Sequence, residues 1–106
     1  MTQEQEFEFE LSILIVSWNT RDILKECLTS IYDCLTKETF EIVIFDNDSN
    51  DGSPQMIEKD FPKVKLIKCP SNIGFGAACN QALKFTKGKY ILLLNPDTKI
   101  IGNSIY

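Results

Sequence analysis

The chain has 106 residues, of which 43% are hydrophobic and 25% are charged. This balance excludes an intrinsically disordered chain and indicates one packed domain or part of one. The formal charge is −4, from 15 acidic and 11 basic side chains, and no basic patch stands out, so nucleic acid is not expected as a partner. We divide the chain into an acidic leader over residues 1–10, either disordered or extending the first strand, and one domain over residues 11–106.

No apolar run approaches the roughly 20 residues that a membrane-spanning helix needs, and the first residues lack the basic and apolar regions of a signal peptide. We therefore expect a cytoplasmic protein, free or peripheral at the inner face of the membrane. The cysteines show no metal-binding spacing, and we interpret them as small buried thiols in a reducing compartment rather than zinc ligands or disulfides. They are Cys27, Cys34, Cys69 and Cys79.

The first two predicted elements are a strand over 11–16 and a helix after it. The strand is a near-continuous run of branched apolar residues, which is typical of a strand buried on both faces. Asn19 or Thr20 is placed to cap the helix. Apolar residues at helical spacing predict its buried stripe. They are Ile23, Leu24, Cys27, Leu28, Ile31 and Leu35.

The remaining elements are predicted from short apolar runs and breaker residues. A strand over 41–45 is followed by a short helix, for which Ser53 is the expected cap and Pro54 the first-turn proline. A strand over 64–67 leads to a third helix through residues 77–85, with Gly88 as its stop signal. A fourth strand covers 90–94.

The order β-α-β-α-β-α-β predicts a parallel sheet with helices on both faces, an α/β fold of Rossmann-like, three-layer α/β/α type. Ligands of such sheets bind at the carboxyl ends of the strands. Polar clusters follow strands one, two and four there, at residues 17–19, 46–53 and 95–98, and the loop over 69–76 lies at the same edge. Any one cluster is better explained by turns and caps than by a ligand site, with Asp51 and Gly52 as turn residues. Their convergence favours a ligand site.

These clusters resemble motifs of family 2 glycosyltransferases. The matching segments are Ile-Val-Ser-Trp-Asn, Asp-Asn-Asp-Ser-Asn-Asp-Gly-Ser, Asn-Ile-Gly-Phe-Gly-Ala-Ala-Cys-Asn and Leu-Leu-Leu-Asn-Pro-Asp. The resemblance covers about residues 11 to 101, is nearest to a rhamnosyltransferase-like branch, and has all four motifs in the family's order. It implies the nucleotide-binding half of a GT-A domain, with sheet order 3-2-1-4.

The resemblance also implies a nucleotide-diphospho-sugar site. Ser17 and Asn19 would line the pocket, Asp46 and Asn47 would hydrogen bond the pyrimidine and ribose, and loop residues would pass close to the nucleotide. The full nucleotide-sugar-binding set is Ser17, Asn19, Asp46, Asn47, Asn72, Gly74, Asn95 and Asp97.

The resemblance assigns a divalent metal, Mg²⁺ or Mn²⁺, to Asp97, which matches the last carboxylate of the family's D-x-D signature. Binding by one carboxylate plus the donor's phosphates is usual for Mg²⁺. Asn95 stands at the first acidic position of the signature, and because an amide is the weaker metal ligand, the metal role falls to Asp97.

The expected donor is a UDP- or dTDP-sugar, and the expected acceptor of the full-length enzyme is a glycan or a lipid-linked glycan. Inverting transfer needs a general base, and no residue of this chain matches the family's base. The catalytic set is therefore empty, and we expect these 106 residues to be inactive by themselves.

Two other functions remain open from the residues. One is a non-enzymatic nucleotide-binding or scaffold role. The other is a dinucleotide-binding oxidoreductase, because Gly74-Phe75-Gly76 imitates part of the G-x-G-x-x-G pattern, although it follows the third strand rather than the first. Lastly, strand 90–94 would be an edge strand, which predicts a homo-oligomer that buries it.

Overall fold

A computed structural model describes residues 7–35 and 39–99. Within them, strands and helices alternate along the chain. The elements are β1 (Phe9–Ser17), α1 (Arg21–Cys34), β2 (Phe40–Asp46), α2 (Ser53–Asp60), β3 (Lys65–Lys68), α3 (Phe75–Leu83) and β4 (Gly88–Leu94). The strands pair in parallel in the order β3-β2-β1-β4. The predicted sheet order, 3-2-1-4, is confirmed, and so is the α/β class.

The sheet is covered by helices on both faces, because β1 sends alternate side chains to opposite layers. Ile13 and Ile15 pack in one core cluster with residues of α1 and α2. Leu14 and Val16 pack in a second cluster with Ala78 and other residues of α3 and β2. Every residue of β1 from Leu11 onward is buried. The three-layer α/β/α arrangement is therefore confirmed, as is the burial of the first strand on both faces.

The buried stripe of α1 matches its prediction except at the amino end. Its buried members are Leu24, Cys27, Leu28, Ile31 and, one residue after the helix, Leu35. Burying each of the large ones contributes about 1.5–3 kcal/mol. The placement of Ile23 in the stripe is wrong, since this side chain is 49% exposed. At about 100° per residue Ile23 lies on the flank of the stripe rather than at its centre.

The interpretation of Gly88 as a helix stop is also wrong. Helix α3 ends at Leu83 with Lys84 as its C-cap, and Gly88 is the buried first residue of β4. A Cβ atom at Gly88 would lie 2.5 Å from the backbone nitrogen of Ser12. The glycine is therefore needed for close approach of β4 to β1, which is another use of a residue without a side chain.

The start of α2 differs from the prediction by one residue. Gly52, with φ of 89°, is the N-cap, and Ser53 is already helical. The serine hydroxyl donates a hydrogen bond to Asp51 Oδ1 instead of capping the helix. Positive φ favours glycine at this position, which explains why the chain turns into the helix there.

Strand β4 is the less covered edge of the sheet. Tyr90, Ile91 and Leu93 are 57%, 47% and 46% exposed, whereas Leu92 and Leu94 are partly buried against the cluster of α1 and α2. Among the described residues, no helix is both long and apolar enough to cross a membrane.

All four cysteines lie within the described residues. Cys27 is buried, and the other three are partly buried. Burial raises the pKa of the Cys27 thiol to about 11, with a smaller contribution from the charge of Asp97. Burial of the thiol to this degree agrees with its interpretation as an unreactive core residue.

Candidate functional site at the carboxyl edge

Four loops leave the carboxyl ends of the parallel strands. We call them loop 1 (residues 18–20), loop 2 (47–52), loop 3 (69–74) and loop 4 (95–99). Parallel pairing places Ser17, at the end of β1, opposite Asp46, at the end of β2. The Asp46 carbonyl in turn accepts a hydrogen bond from the Cys69 amide of loop 3. Asp46 is therefore at the centre of this edge.

The Asp46 carboxylate has one oxygen satisfied and one without a partner. Oδ2 accepts a hydrogen bond of 2.9 Å from the Ser49 amide. Oδ1 is out of contact with solvent and has no hydrogen-bond partner among the described residues. An unpaired buried acceptor is unfavourable by about 1–3 kcal/mol, and by more for a charged group. Such an atom makes Asp46 a candidate to accept a hydrogen bond from a ligand.

The Asn47 side chain, predicted to contact the nucleotide, has both of its polar atoms bonded to loop 3. Oδ1 accepts from the Ile73 amide at 3.1 Å, and Nδ2 donates to the Gly74 carbonyl at 3.2 Å. Asn47 is only 3% exposed. Its role toward a nucleotide stays a prediction, but the structure shows what it does in the protein, which is to join loops 2 and 3.

Loop 1 is joined to loop 2 by Asn19, another residue of the predicted set. The Asn19 backbone amide donates to Ser49 Oγ, and its side-chain Oδ1 accepts from the Asn50 amide, both at 2.8 Å. Ser17 is fully buried, and its hydroxyl lies 3.0 Å from the Thr20 hydroxyl.

In loop 3, Asn72 and Gly74 form the turn into α3. Asn72 Oδ1 accepts a hydrogen bond from the Gly74 amide at 2.9 Å. Gly74 is the N-cap of α3 with φ of 86° and ψ of 166°, a region essentially restricted to glycine. A Cβ at Gly74 would meet no atom within 4 Å. The glycine is needed here for its backbone angles, and the space beside it is open.

In loop 4, the Asn95 carbonyl accepts a hydrogen bond from the Thr98 amide at 3.0 Å, which closes a turn. Asp97 is exposed at this turn. Its charge contributes to the raised pKa of Cys27, after burial as the larger cause. No side-chain hydrogen bond joins loop 4 to loops 1–3 within the described ranges.

The residues present fit a metal ion that is coordinated mainly by the phosphate oxygens of a bound nucleotide. In the part of the chain that the structure describes, no group of three or more acidic, histidine or cysteine side chains is placed to hold a cation. Asp97 supplies one accessible carboxylate. A single carboxylate with phosphate oxygens and water completing the shell is a common Mg²⁺ site, so the donor set suits a metal that arrives with a diphosphate.

Asp51, predicted to be a turn residue, joins the amino ends of two helices. Its Oδ2 accepts from the first amide of α1, at Arg21, and its Oδ1 accepts from the first amide of α2, at Ser53. Burial opposes ionisation of this carboxyl, but hydrogen bonds from the Ser53 hydroxyl and from the Arg21 and Ser53 amides outweigh it and lower the pKa of Asp51. A carboxylate at two helix amino ends is also favoured by their dipoles.

Trp18 is a candidate residue that the sequence reasoning missed. It stands between two predicted site residues, in loop 1, and its side chain is 53% exposed. An exposed tryptophan at a ligand-binding edge offers a flat surface on which a base can stack. Its position between Ser17 and Asn19, in the motif Ser-Trp-Asn, could have identified it from the sequence.

Two surface grooves lie beside the loops. One, of about 380 Å³, is lined by Asn19, Thr20, Arg21, Asp22, Ile23 and Asp51. A larger one, of about 490 Å³, runs along the outer side of α1 and reaches Lys99 of loop 4. Neither is lined by Asp46, so the candidate site is assigned from its unpartnered oxygen and its loops rather than from the size of a groove.

Comparison with known proteins gives the family to which the chain belongs. The family model described as Glycosyl transferase family 2 matches residues 12–105. A poly(ribitol-phosphate) beta-glucosyltransferase of Bacillus spizizenii is 35% identical over 96 residues, covering 86% of this chain and 15% of its own length. An L-rhamnosyltransferase of Mycobacterium tuberculosis is 29% identical over 73 residues, covering 69% and 24%.

Solved structures share the fold. Residues 1–349 of Staphylococcus aureus TarS, in complex with UDP, superpose with a TM-score of 0.80 at 27% identity, over 91% of this chain and 30% of that one. A mannosyltransferase of Pyrobaculum calidifontis, in complex with GDP-Man and Mn²⁺, gives a TM-score of 0.80 at 19% identity, over 97% and 32%. The GT-A expectation is thereby confirmed. The chain spans less than a third of the length of each of these proteins.

Proposed function

We propose that this chain, which belongs to glycosyl transferase family 2, binds a nucleotide-diphospho-sugar at loops 1–4 and forms the donor-binding part of an inverting glycosyltransferase. The observation that carries the proposal is the buried, unpartnered Oδ1 of Asp46 at the centre of the carboxyl edge. The imide N–H of uracil or thymine is the kind of donor that this acceptor lacks. Since Oδ1 has no contact with solvent, a base that reaches it displaces a neighbouring side chain.

The other loops supply the rest of the donor site. Trp18 stacks on the base, and the backbone of Gly74, beside which there is open space, lies along the nucleotide. Ser17, Asn19, Asn47, Asn72 and Asn95 complete the set proposed from the sequence. The relatives' complexes with UDP and GDP-Man support a nucleotide ligand, and we propose a UDP- or dTDP-sugar because of the acceptor at Asp46.

A divalent cation is proposed at Asp97. Loops 2 and 4 carry Asp48 and Asp97 on an edge that already holds the Asp46 carboxylate, so a diphosphate arriving alone would meet like charge. Mg²⁺ or Mn²⁺ between the Asp97 carboxylate and the diphosphate would remove that repulsion and stabilise the leaving group. The mannosyltransferase complex with Mn²⁺ supports this proposal.

The reaction proposed for the full-length enzyme is displacement at the anomeric carbon. The oxygen of an acceptor hydroxyl forms the new glycosidic bond, the bond from the anomeric carbon to the diphosphate oxygen breaks, and the hydroxyl proton passes to a general base. No residue of this chain matches that base. We therefore propose that residues 1–106 bind the donor but do not transfer it, that the acceptor is a glycan or lipid-linked glycan, and that the enzyme acts in the cytoplasm.

The fluorescence of Trp18 tests the binding proposal, because it is the single tryptophan of the chain. UDP, dTDP, GDP and NAD are titrated with and without Mn²⁺. We expect UDP or dTDP to change the fluorescence, with tighter binding when Mn²⁺ is present. Asp97→Asn should remove the Mn²⁺ dependence and leave thermal unfolding unchanged. The matched control is Asp33→Asn, which removes another exposed carboxylate, on α1 and outside the four loops.

Three outcomes would overturn parts of this proposal. Retention of the Mn²⁺ dependence in Asp97→Asn would remove Asp97 as the metal ligand. Binding of NAD in preference to the diphosphates would favour a dinucleotide-binding oxidoreductase. Binding of no nucleotide at millimolar concentration would favour a scaffold role, and sugar transfer by purified residues 1–106 would contradict their expected inactivity.

A further inference from the structure

Two asparagines of the carboxyl edge use their side-chain amides to join neighbouring loops. Asn47 of loop 2 bonds loop 3 through both of its polar atoms. Asn19 of loop 1 bonds loop 2 through its Oδ1, and its backbone amide donates to Ser49 Oγ. We call these four hydrogen bonds the interloop bonds. They connect loops 1, 2 and 3 in sequence.

The Asn47 contact resembles one step of a β-ladder made by a side chain. The amide accepts from the Ile73 N–H and donates to the Gly74 C=O, as a backbone peptide group would. The Gly74 carbonyl also accepts from the Ala78 amide in the first turn of α3. Asn47 therefore fixes both the end of loop 3 and the start of α3.

Among the described residues, loop 3 is otherwise bonded to β2 at its start, where the Cys69 amide donates to the Asp46 carbonyl. Ile73 and Gly74 are exposed, and the Gly74 amide bonds only within the loop, to Asn72. Ordering a loop that contains glycine has a large cost in backbone conformational entropy, because glycine has more conformations to lose than other residues. A buried side chain that bonds both adjacent peptide groups is well suited to hold it.

From this geometry we infer that Asn47 is a positioning residue, which sets nucleotide affinity by holding loop 3 against loop 2 and not by reading the base. The inference rests on the proposed function, because it concerns the same nucleotide site. It deepens that function by separating two adjacent residues: Asp46 has an unpartnered atom that can select a base, whereas both polar atoms of the Asn47 side chain are engaged.

The two roles predict different dependence on the base. Loss of a residue that reads the base weakens the matching nucleotide and leaves others unchanged, since the penalty comes from one unmet polar group. Loss of a residue that holds loop 3 weakens every nucleotide by the same factor, because the loop has to be ordered before any of them binds.

The experiment uses Asn47→Ala, with Asn80→Ala as the matched control on the exposed side of α3. Hydrogen exchange of the Ile73 amide is measured in the protein without nucleotide, and the affinities for UDP, dTDP and GDP are measured where both variants are folded. We expect Ile73 to exchange about tenfold faster in Asn47→Ala, as loss of its one acceptor implies. We expect all nucleotides that bind the native protein to weaken by a common factor of about five to ten.

If Asn47→Ala does not fold, Asn47→Asp keeps the acceptor for Ile73 and loses the donor to Gly74. In that variant we expect the Ile73 amide to stay protected while the affinities fall together. An unchanged Ile73 exchange rate in Asn47→Ala, a loss confined to one base, or unchanged affinities would each overturn the inference. Absence of nucleotide binding by the native protein would instead overturn the proposed function, and the exchange rate of Ile73 would still decide whether Asn47 holds the loop.

Discussion

Strand β2 carries a buried carboxylate at each end, and the two differ in how their oxygens are satisfied. Glu41, near its start, is 8% exposed, and Asp46, at its end, is 2% exposed. Glu41 Oε2 accepts from the Ser12 hydroxyl at 2.6 Å and from the Lys87 amide at 2.5 Å, while Oε1 lies 3.5 Å from Lys65 Nζ. Asp46 has one amide donor and one unpartnered oxygen.

The comparison teaches that burial alone does not distinguish a carboxylate whose oxygens are both satisfied from one that keeps an oxygen without a partner. Both groups are removed from water, which is unfavourable for a charge. At Glu41 three donors, one on β1, one on β3 and one on the residue before β4, compensate for that loss. The group therefore holds the amino edge of the sheet together. At Asp46 the compensation is incomplete, because Oδ1 has no hydrogen-bond partner among the described residues.

The largest expected effect is on folding, at Glu41. Glu41→Ala leaves the Ser12 hydroxyl and the Lys87 amide without their acceptor, and we expect the free energy of unfolding to fall by about 2–4 kcal/mol. Urea denaturation followed by circular dichroism measures this. Glu58→Ala is the control, because its ion pair with Lys68 is exposed and is worth at most about 1 kcal/mol. Equal losses in the two variants would contradict the structural role of Glu41.

The next effect is on binding, at Asp46. Asp46→Asn changes the unpartnered acceptor without removing the side chain, so we expect the free energy of unfolding to change by less than about 1 kcal/mol. The affinity for UDP should fall at least about tenfold, equivalent to about 1.4 kcal/mol. Calorimetric titration and urea denaturation on the same protein give both numbers. A variant that loses stability and keeps its affinity would reverse the comparison between Asp46 and Glu41.

A smaller effect depends on pH and concerns Asp51. Its pKa in the folded protein lies below the ordinary value of 3.8. Its ionised form therefore stabilises the fold above that value, and the contribution is lost as the pH falls through the lower, folded-state pKa. In Asp51→Asn, the free energy of unfolding should fall less steeply below pH 4 than it does in the native protein. Parallel acid-unfolding curves for the two proteins would refute this assignment.

The smallest effect concerns self-association through β4, which stays a prediction. Among the described residues, β4 pairs with β1 alone, and Tyr90, Ile91 and Leu93 are exposed on it. Such an edge can pair with a second copy. We expect a weak dimer at micromolar concentration by light scattering, and Leu93→Lys should make it monomeric. Native protein that remains monomeric at high concentration, with fast amide exchange across residues 90–94, would contradict the prediction.

Much of the fold could be predicted because hydrophobic pattern and strand order are strongly coupled in parallel sheets. The run that became β1 is apolar from Leu11 to Val16 except at Ser12, so its burial on both faces followed from the pattern. Strand bounds were less predictable: β4 begins at Gly88 rather than Tyr90. The difference comes from a polar contact, in which the Gly88 amide donates to Ser12 Oγ at 2.8 Å, and no local pattern reveals such a partner.

The sequence predicted that the candidate residues lie at the carboxyl edge, but it did not predict their contacts, and their roles toward a nucleotide stay predictions. Asp46 ends β2, and Asn47 and Asn19 lie in loops 2 and 1, all at the carboxyl edge where the motifs placed them. Which amide atoms are free and which are engaged depends on residues about 26 to 31 positions away in the chain. For the same reason Asp51, read as an ordinary turn residue, proved to join the amino ends of α1 and α2.

The close approach at Gly88 has a consequence for anyone who redesigns this sequence. Because even a methyl group there would overlap the backbone of β1, a mutational library should hold the position constant and place its diversity on the exposed residues of β4. Gly88 also fixes the register of β4 against β1. The number of residues between Gly88 and Asn95 or Asp97 therefore determines where loop 4 begins. Extra residues are better inserted before it, in the turn over 84–86, where they leave that count unchanged.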